Sequence, residues 1–332
     1  MTHIHFETRA GKPSVFYMTP DLVQAAHKRA KLGRGVRWTV GEDLRDKSWL
    51  ATADGLVTGN DLIVDPAFPR ATLATAAPRL RWIHIIGAGI EPLLPLDWLP
   101  RQVTLTNNSG VHVQKTGEFA TMALLALCYR LPEMLANQQQ AKWRQIFTPS
   151  IAGKTVLVVG LGEMGGAAAK SAKKLGMKVL GVRRNPRPHR YADAMLPLTQ
   201  LHKGLAQADF VLVATPLTPA TAHLIDTSAI AAMKTGAGLI NVGRAGVVDY
   251  DALSRALRAG KLSGAVLDVF DPEPLPAASP LWRVPNLIIT PHCSSDDLDH
   301  YLPMTLDLAF DNLAKLRAGR KLKNAVSPAT GY

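Results

Sequence analysis

Cysteine is scarce in this chain, and so are long apolar runs. Its 332 residues include two cysteines, Cys128 and Cys293, too few for a disulfide framework or a four-cysteine zinc site, and no metal site is predicted. The most apolar stretch, residues 119–131, is shorter than the roughly 20 residues that a membrane-spanning helix needs. Residues 1–12 lack the apolar segment of a secretory signal. We therefore expect a cytoplasmic protein with reduced thiols and no membrane partner.

Acidic residues are also in deficit. The chain has 26 Asp and Glu residues against 38 Lys and Arg residues, a formal net charge of +12 that favours anionic partners. The positive charge is spread along the chain and no basic helix is interleaved with aromatic residues, so nucleic acid is not expected among those partners. Phosphorylated or carboxylated small molecules remain as the expected anionic partners. Hydrophobic residues make up 47% of the chain, which excludes a disordered polypeptide.

Apolar runs of strand length recur along the chain and alternate with helical patterns. At roughly 150 residues per domain, the length suggests about two domains. A first group of predicted strands covers residues 36–40, 54–59, 81–86 and 103–107, and a second covers 154–160, 177–184, 209–215, 236–242, 262–270 and 286–290. A long helix is predicted over 116–140 and a last helix over 297–318. The alternation predicts an α/β fold with two doubly wound parallel sheets.

A glycine-rich turn follows the strand at 154–160 and opens a helix. Its residues are Gly160, Leu161, Gly162, Glu163, Met164 and Gly165, which match the pattern G-x-G-x-x-G. In that context the first glycine makes a tight turn, the second lets a pyrophosphate approach the backbone, and the third lets the helix pack on the strand. The helix N-terminus offers N–H groups to the phosphates. The pattern predicts a dinucleotide site; a glycine-rich turn of an ordinary α/β domain is the alternative.

The strand after this turn ends without an acidic residue. NAD-binding domains place Asp or Glu there to accept a hydrogen bond from the ribose 2′-hydroxyl, whereas this chain has Arg183 and Arg184. Guanidinium groups match the oxygens of a 2′-phosphate, so NADP is the preferred coenzyme and NAD the second choice. A solvated basic turn is the alternative interpretation, because Arg187 and Arg190 follow.

Three further blocks accompany the glycine-rich turn: residues 218–253, the sequence LDVFDPEPLP at 267–276, and Thr290-Pro291-His292. In their order and spacing the four motifs resemble the D-isomer-specific 2-hydroxyacid dehydrogenase family over nearly the whole chain. The resemblance implies a Rossmann coenzyme domain, residues 108–295, inserted into a flavodoxin-like substrate domain made of residues 1–107 and 296–332. The arginine pair and the tail residues 324–326 and 331–332 resemble its NADP-preferring glyoxylate and hydroxypyruvate reductase branch.

The resemblance assigns roles to single residues. Arg244 resembles the arginine that binds the substrate's carboxylate and carbonyl, His292 resembles the acid/base, and Glu273 resembles the acid that pairs with it. Ala88 and Gly89 would donate backbone N–H groups to the substrate carboxylate. The residues expected to contact the coenzyme, beyond the glycine-rich turn and the arginine pair, are Thr215, Pro216, Thr221, Val242, Gly243 and Asp268, the last on the nicotinamide carboxamide.

Together these assignments imply an oxidoreductase. We expect NADPH-dependent reduction of a small 2-oxo acid, such as glyoxylate or hydroxypyruvate, to the D-2-hydroxy acid. A homodimer through the coenzyme domain is also implied, with Trp143 either reaching the site of the second copy or buried as an anchor. The alternative function is that of a non-catalytic, dinucleotide-sensing binding protein, like the corepressors that resemble this family and retain the same residues.

Overall fold

Parallel β-strands joined by helices make up most of the chain in a computed structural model, which describes residues 1–327. Residues 331–332 of the tail motif lie outside the described residues. The strands are β1 Thr2–Thr8, β2 Val36–Glu42, β3 Gly55–Thr58, β4 Trp82–Ile85, β5 Thr104–Thr106, β6 Thr155–Val159, β7 Lys178–Val182, β8 Ala194–Leu196, β9 Phe210–Val213, β10 Ala237–Asn241, β11 Leu262–Leu267 and β12 Leu287–Ile289. The helices are α1 Pro20–Ala30, α2 Asn60–Ile63, α3 Leu73–Ala76, α4 Val113–Cys128, α5 Leu131–Gln139, α6 Glu163–Lys174, α7 Leu201–Leu205, α8 Thr227–Ala232, α9 Tyr250–Arg258 and α10 Tyr301–Arg317.

The chain divides into two units. One contains Met1–Val111 and the residues from Asp296 onward, and the other contains His112–Ser295. The first division falls after Val111, whereas the sequence interpretation puts it after residue 107. The intervening segment is bound to the first unit, because the backbone N–H of Asn108 donates to Gly87 O over 3.0 Å and its Nδ2 donates to Thr305 Oγ1 over 2.8 Å.

The first unit is built on a five-stranded parallel sheet in the order β2-β1-β3-β4-β5. Side chains alternate along β1, so that Ile4 and Phe6 face a buried core that includes Phe310 of α10. The sequence marks the start of α1 clearly: Thr19 caps it by accepting from Leu22 N over 3.3 Å, with a proline following. Residues 86–90 follow β4 at the carboxyl edge of this sheet, and they contain Ala88 and Gly89.

The second unit is built on a seven-stranded parallel sheet in the order β12-β11-β10-β9-β6-β7-β8. Strand β6 pairs with β7 on one side and with β9 on the other, so the direction of chain progression reverses beside β6. In open parallel sheets, ligands bind outside the carboxyl ends of the strands at such a reversal. The glycine-rich turn follows β6 at this position. The predicted fold class, two parallel α/β sheets, is confirmed.

The helix predicted over residues 116–140 is two helices. The break between them lies at Arg130, which adopts a left-handed φ of +53°. Helix α5 then begins with a proline in its first turn. The predicted single helix is therefore wrong at this position. Among the described residues, no single helix combines the length and apolar composition needed to cross a membrane; α4 and α5 meet those criteria only as a pair, and they are bent by 64°.

Candidate active site

The glycine-rich turn lies between the end of β6 and the first residue of α6. Gly160 has a φ of +93°, and a Cβ there would lie 2.6 Å from Thr215 Cγ2. A Cβ on Gly165 would lie 1.9 Å from Gly160 O. A Cβ on Gly162, in contrast, would meet no atom within 4 Å. The outer glycines are therefore needed for folding, while the surface in front of Gly162 is open to a ligand such as a pyrophosphate.

A cavity of about 440 Å³ adjoins this turn and is bordered by α6 and the loop after β7. Its lining includes four basic residues, Lys170, Arg183, His189 and Arg190, and the acid Glu163. Burial lowers the pKa of His189, and the charges of Arg183 and Arg190 lower it further. The excess of arginine and lysine charge makes this cavity suitable for an anionic group.

The two arginines at the end of β7 have different surroundings. Nη2 of Arg183 donates to Arg187 O over 2.7 Å, and Nη1 donates weakly to Leu161 O over 3.5 Å. Arg183 is half-buried and ties the loop after β7 to the glycine-rich turn. Arg184 is exposed.

Most of the other residues expected to contact the coenzyme follow β9 and β10, which are neighbours in the sheet. Thr221 Oγ1 donates to Pro216 O over 2.7 Å, and a Cβ on Gly243 would lie 2.6 Å from Thr215 O. Val242 is buried beside them. Thr215 Oγ1 is buried and has no hydrogen-bond partner within residues 1–327. A buried hydroxyl in this state is one that a bound polar ligand can satisfy, so these residues fit a dinucleotide.

His292 and Glu273 form a direct pair. His292 Nδ1 and Glu273 Oε2 are 2.7 Å apart, and Glu273 Oε1 accepts from Phe270 N, also over 2.7 Å. The side chains are 44% and 35% exposed, so the ring is accessible to a substrate. His292 has a φ of +50°, an uncommon conformation that is concentrated at functional sites. With Nδ1 directed at the carboxylate, Nε2 is the ring nitrogen that can exchange a proton with a substrate.

Asp268 holds the segment that carries His292. It is 0% exposed, and its carboxylate accepts from Thr290 Oγ1 over 2.6 Å, from Cys293 N over 3.0 Å and from Ser294 N over 3.0 Å. Three of the roughly four acceptor positions of a carboxylate are thus used on residues 290–294. This anchoring role was not anticipated from the sequence, which assigns Asp268 to the nicotinamide carboxamide; that contact stays a prediction.

Arg244 follows β10 directly, and its backbone is fixed by Asn241. Asn241 Nδ2 donates to Arg244 O over 3.1 Å and to Tyr250 Oη over 3.0 Å. The Tyr250 hydroxyl donates in turn to Val269 O over 2.7 Å, and burial raises the pKa of this phenol, which keeps it protonated. The segment at Arg244 is thereby linked to the residue after Asp268. Asn241 and Tyr250 both lie in the block 218–253, but the sequence interpretation assigns neither of them a role.

His112, at the start of α4, was also not anticipated. It is buried, and its Nδ1 lies 3.3 Å from Ser295 O. Burial lowers the pKa of His112, and the charges of Arg244 and His292 lower it further. His112 therefore lies within electrostatic reach of two of the three predicted catalytic side chains, Arg244 and His292. Its position in the sequence, between two valines, gives no signal of this proximity.

The predicted substrate-binding residues Ala88 and Gly89 belong to the other unit. There Ala88 O accepts from Asn107 Nδ2 and Gly89 O accepts from Asn60 Nδ2, each over 2.8 Å. The residues brought together within the second unit are His292, Glu273 and, through its anchoring of residues 290–294, Asp268.

Comparison with known proteins extends these observations. A family model described as "D-isomer specific 2-hydroxyacid dehydrogenase, NAD binding domain" matches residues 121–294. Glyoxylate reductase of Korarchaeum cryptofilum is 32% identical to the chain over 283 residues, which cover 82% of each protein. D-3-phosphoglycerate dehydrogenase of Mycobacterium tuberculosis is 33% identical over 300 residues; the match covers 89% of the chain and 55% of the relative, so the chain spans about half of that protein.

Two solved structures are similar over the full length. A D-isomer specific 2-hydroxyacid dehydrogenase from Xanthobacter autotrophicus Py2, crystallised with NADPH and MES, has a TM-score of 0.85 at 28% identity and covers 100% of both chains. The NADPH-dependent glyoxylate/hydroxypyruvate reductase of Sinorhizobium meliloti, in complex with NADP and sulfate, has a TM-score of 0.80 at 26% identity and also covers 100% of both chains.

Proposed function

The chain belongs to the D-isomer specific 2-hydroxyacid dehydrogenase family, and from this premise we propose that it reduces a small 2-oxo acid with NADPH to the D-2-hydroxy acid. Glyoxylate and hydroxypyruvate are the first candidate substrates, since related reductases are named for them. The observation that carries the proposal is the pair of His292 and Glu273, 2.7 Å apart, in the same unit as the glycine-rich turn. Such a pair can supply the proton that carbonyl reduction consumes.

The coenzyme preference is proposed from the residues at the end of β7. An exposed arginine, Arg184, and a basic cavity beside the glycine-rich turn favour the extra phosphate of NADPH, and NADH is the weaker alternative. Two structural relatives hold NADPH or NADP, which agrees with this preference. We further propose that the unit His112–Ser295 is the coenzyme domain and the other unit the substrate domain.

The proposed mechanism assigns a separate task to each side chain. The dihydronicotinamide, when bound, supplies a hydride to the carbonyl carbon of the substrate. His292, protonated and held at Nδ1 by Glu273, donates the Nε2 proton to the keto oxygen. Arg244 orients the carboxylate and stabilises the charge that develops on the oxygen. The backbone N–H groups of Ala88 and Gly89 bind the carboxylate.

We also propose that the chain forms a homodimer. Trp143 is 96% exposed and Phe147 is 87% exposed, and both lie in the segment after α5. Large aromatic side chains with this exposure are typical of an interaction surface, and a second copy of the chain is the proposed partner. A cytoplasmic location is proposed because the two cysteines, Cys128 and Cys293, form no disulfide in the described part of the chain, as expected in a reducing compartment.

A substrate panel tests the proposed function. NADPH consumption is followed with glyoxylate, with hydroxypyruvate and with glycolaldehyde, which has a similar size but lacks the carboxylate. We expect turnover of the two acids only. Arg244→Gln should lower kcat/KM for the acids by about 100-fold, as expected for the loss of a charge-stabilising donor. Arg255→Gln, an exposed arginine of α9, is the matched control and should change little. Tight NADPH binding without turnover would instead favour the dinucleotide-sensing alternative.

A further inference from the structure

The loop after β4 has an unusual pattern of hydrogen bonds. Four successive carbonyl groups, from Ile86 to Gly89, each accept from a donor of the same unit. These bonds run from Tyr301 Oη to Ile86 O, from Asn108 N to Gly87 O over 3.0 Å, from Asn107 Nδ2 to Ala88 O over 2.8 Å, and from Asn60 Nδ2 to Gly89 O over 2.8 Å. The orientation of each peptide plane in this loop is therefore set by a partner outside it.

Fixing these carbonyls also fixes the neighbouring N–H groups. In a planar trans peptide, the N–H of the next residue points away from the C=O. The bond to Gly87 O thus aims Ala88 N–H, the bond to Ala88 O aims Gly89 N–H, and the bond to Gly89 O aims Ile90 N–H. Within residues 1–327, no group accepts a hydrogen bond from any of these three N–H donors. Together they are three backbone donors on consecutive residues, a set suited to an anion.

Asn107 is itself held in place on several sides. Its Oδ1 accepts from Ser109 N over 3.2 Å, and its backbone N–H donates to Asn324 O over 3.2 Å. Asn324 Nδ2 donates back to Asn107 O over 3.1 Å. The side-chain amide of Asn107, which binds Ala88 O, therefore has little freedom to rotate. The peptide that joins Ala88 to Gly89 is held with it, so the direction of Gly89 N–H is also fixed.

Asn60 also holds the loop after β4, through its bond to Gly89 O. It is the first residue of α2, and the only hydrogen bond of its side chain within the described residues is the one to Gly89 O. Its Oδ1 is buried without a partner in that part of the chain. An unsatisfied buried amide oxygen is unfavourable for folding, so this asparagine is better explained by its hold on the loop than by stability.

We propose that Asn107 and Asn60 are positioning residues that hold the Ala88–Ile90 peptides so that their N–H groups bind the carboxylate of the 2-oxo acid. The inference rests on the proposed function, which assigns that carboxylate to Ala88 and Gly89. It adds two side chains, from the segment after β5 and from α2, on which carboxylate binding depends.

The test compares Asn107→Ala, Asn60→Ala and the double variant with the wild-type protein. The KM for glyoxylate should rise about 5- to 10-fold in each single variant, as expected for one lost hydrogen bond, while the KM for NADPH stays within about 2-fold. The double variant should lose less than the product of the two single effects, because both residues hold one loop. Oxamate, a carboxylate that cannot accept a hydride, is the binding probe, and its Kd at saturating NADPH should rise in parallel.

Trp98→Phe is the matched control. It removes another side-chain hydrogen bond to a backbone carbonyl of the same unit, from Trp98 Nε1 to Leu93 O over 2.9 Å, but outside the loop. Its KM for glyoxylate and Kd for oxamate should match those of the wild type. If Asn107→Ala does not fold, as judged by thermal unfolding, Asn60→Ala provides the same test. Folded variants with unchanged KM and Kd would overturn the positioning role alone, whereas a wild type that neither turns over glyoxylate nor binds oxamate would refute the proposed function and this inference together.

Discussion

Removing the Arg184 side chain should weaken NADPH binding and leave NADH binding unchanged, whereas removing the Arg183 side chain should weaken both. The two residues are adjacent, but Arg184 is exposed at the end of β7 and Arg183 is half-buried. Arg183 donates to Arg187 O over 2.7 Å and reaches Leu161 O over 3.5 Å, so its loss releases the loop that lies beside the glycine-rich turn. The pyrophosphate, common to both coenzymes, depends on that turn.

The expected magnitudes follow from these contacts. A hydrogen bond to a charged group contributes about 1.5–3 kcal/mol, and the lower end applies to Arg184 because water screens an exposed guanidinium. Arg184→Ala should therefore raise the Kd for NADPH about 10-fold. Arg183→Ala loses one short charge-assisted bond within the protein, and the Kd values for NADPH and NADH should both rise by about the same factor, 5- to 10-fold.

Fluorescence titration of both coenzymes, together with calorimetric titration of 2′,5′-ADP and 5′-AMP, separates the two effects without requiring turnover. The fragments isolate the ribose phosphate, so Arg184→Ala should weaken 2′,5′-ADP but not 5′-AMP. Arg183→Met, which keeps the apolar part of the side chain, controls for lost packing. A selective loss of NADPH in Arg183→Ala, or an equal loss of both coenzymes in Arg184→Ala, would refute the assignment.

Three further predictions concern the acid/base pair, pH and assembly. Glu273 accepts hydrogen bonds on both oxygens at once, which glutamine cannot do, so Glu273→Gln should lower reductive kcat/KM about 10-fold; an unchanged kcat/KM would contradict this. Burial lowers the pKa of His84 from 6.5 to about 4, so the unfolded chain takes up its proton first and stability falls as pH drops from 6.5 to 4, by up to about 3 kcal/mol. Urea unfolding of His84→Asn should lack that part of the decline, and curves parallel to the wild type would exclude it. Replacing Trp143 and Phe147 together by serine should convert the dimer to a monomer, as measured by light scattering at micromolar concentration. A monomeric wild type would contradict the proposed assembly.

Local chemistry was sufficient to predict the glycine-rich turn and the strands around it. Gly165 is dictated by a contact five residues away, since a Cβ there would lie 1.9 Å from Gly160 O. Apolar runs such as residues 156–159 could be recognised as strands because both faces of a central parallel strand are buried. The break at Arg130 was missed, although Pro132 was a usable signal for a new helix start. Strand β8 is only three residues long, and its pairing with β7 defines it more than its sequence does.

The supporting residues around the candidate site could not be predicted, because their roles depend on tertiary pairing. Asp268 binds residues 22 to 26 positions later in the chain, and nothing in its own neighbourhood indicates that it anchors them. Asn241 likewise meets Tyr250, and His112 meets Ser295, only when separate elements come together. Arg183 and Arg184 are identical in sequence terms, and they differ only in the fold, where Arg183 is half-buried and donates to Arg187 O and Leu161 O while Arg184 is exposed.

The central claim is that hydride passes from NADPH to the carbonyl carbon of a 2-oxo acid while His292 supplies the proton. The most direct measurement is the reduction of hydroxypyruvate with NADPH that carries deuterium at the transferable position, followed by mass spectrometry and chiral separation of the glycerate. The account predicts one deuterium at the second carbon, the D isomer as the product, and a rate reduced about 100- to 10,000-fold in His292→Ala. An L or racemic product, glycerate without deuterium, or an undiminished rate in His292→Ala would contradict it.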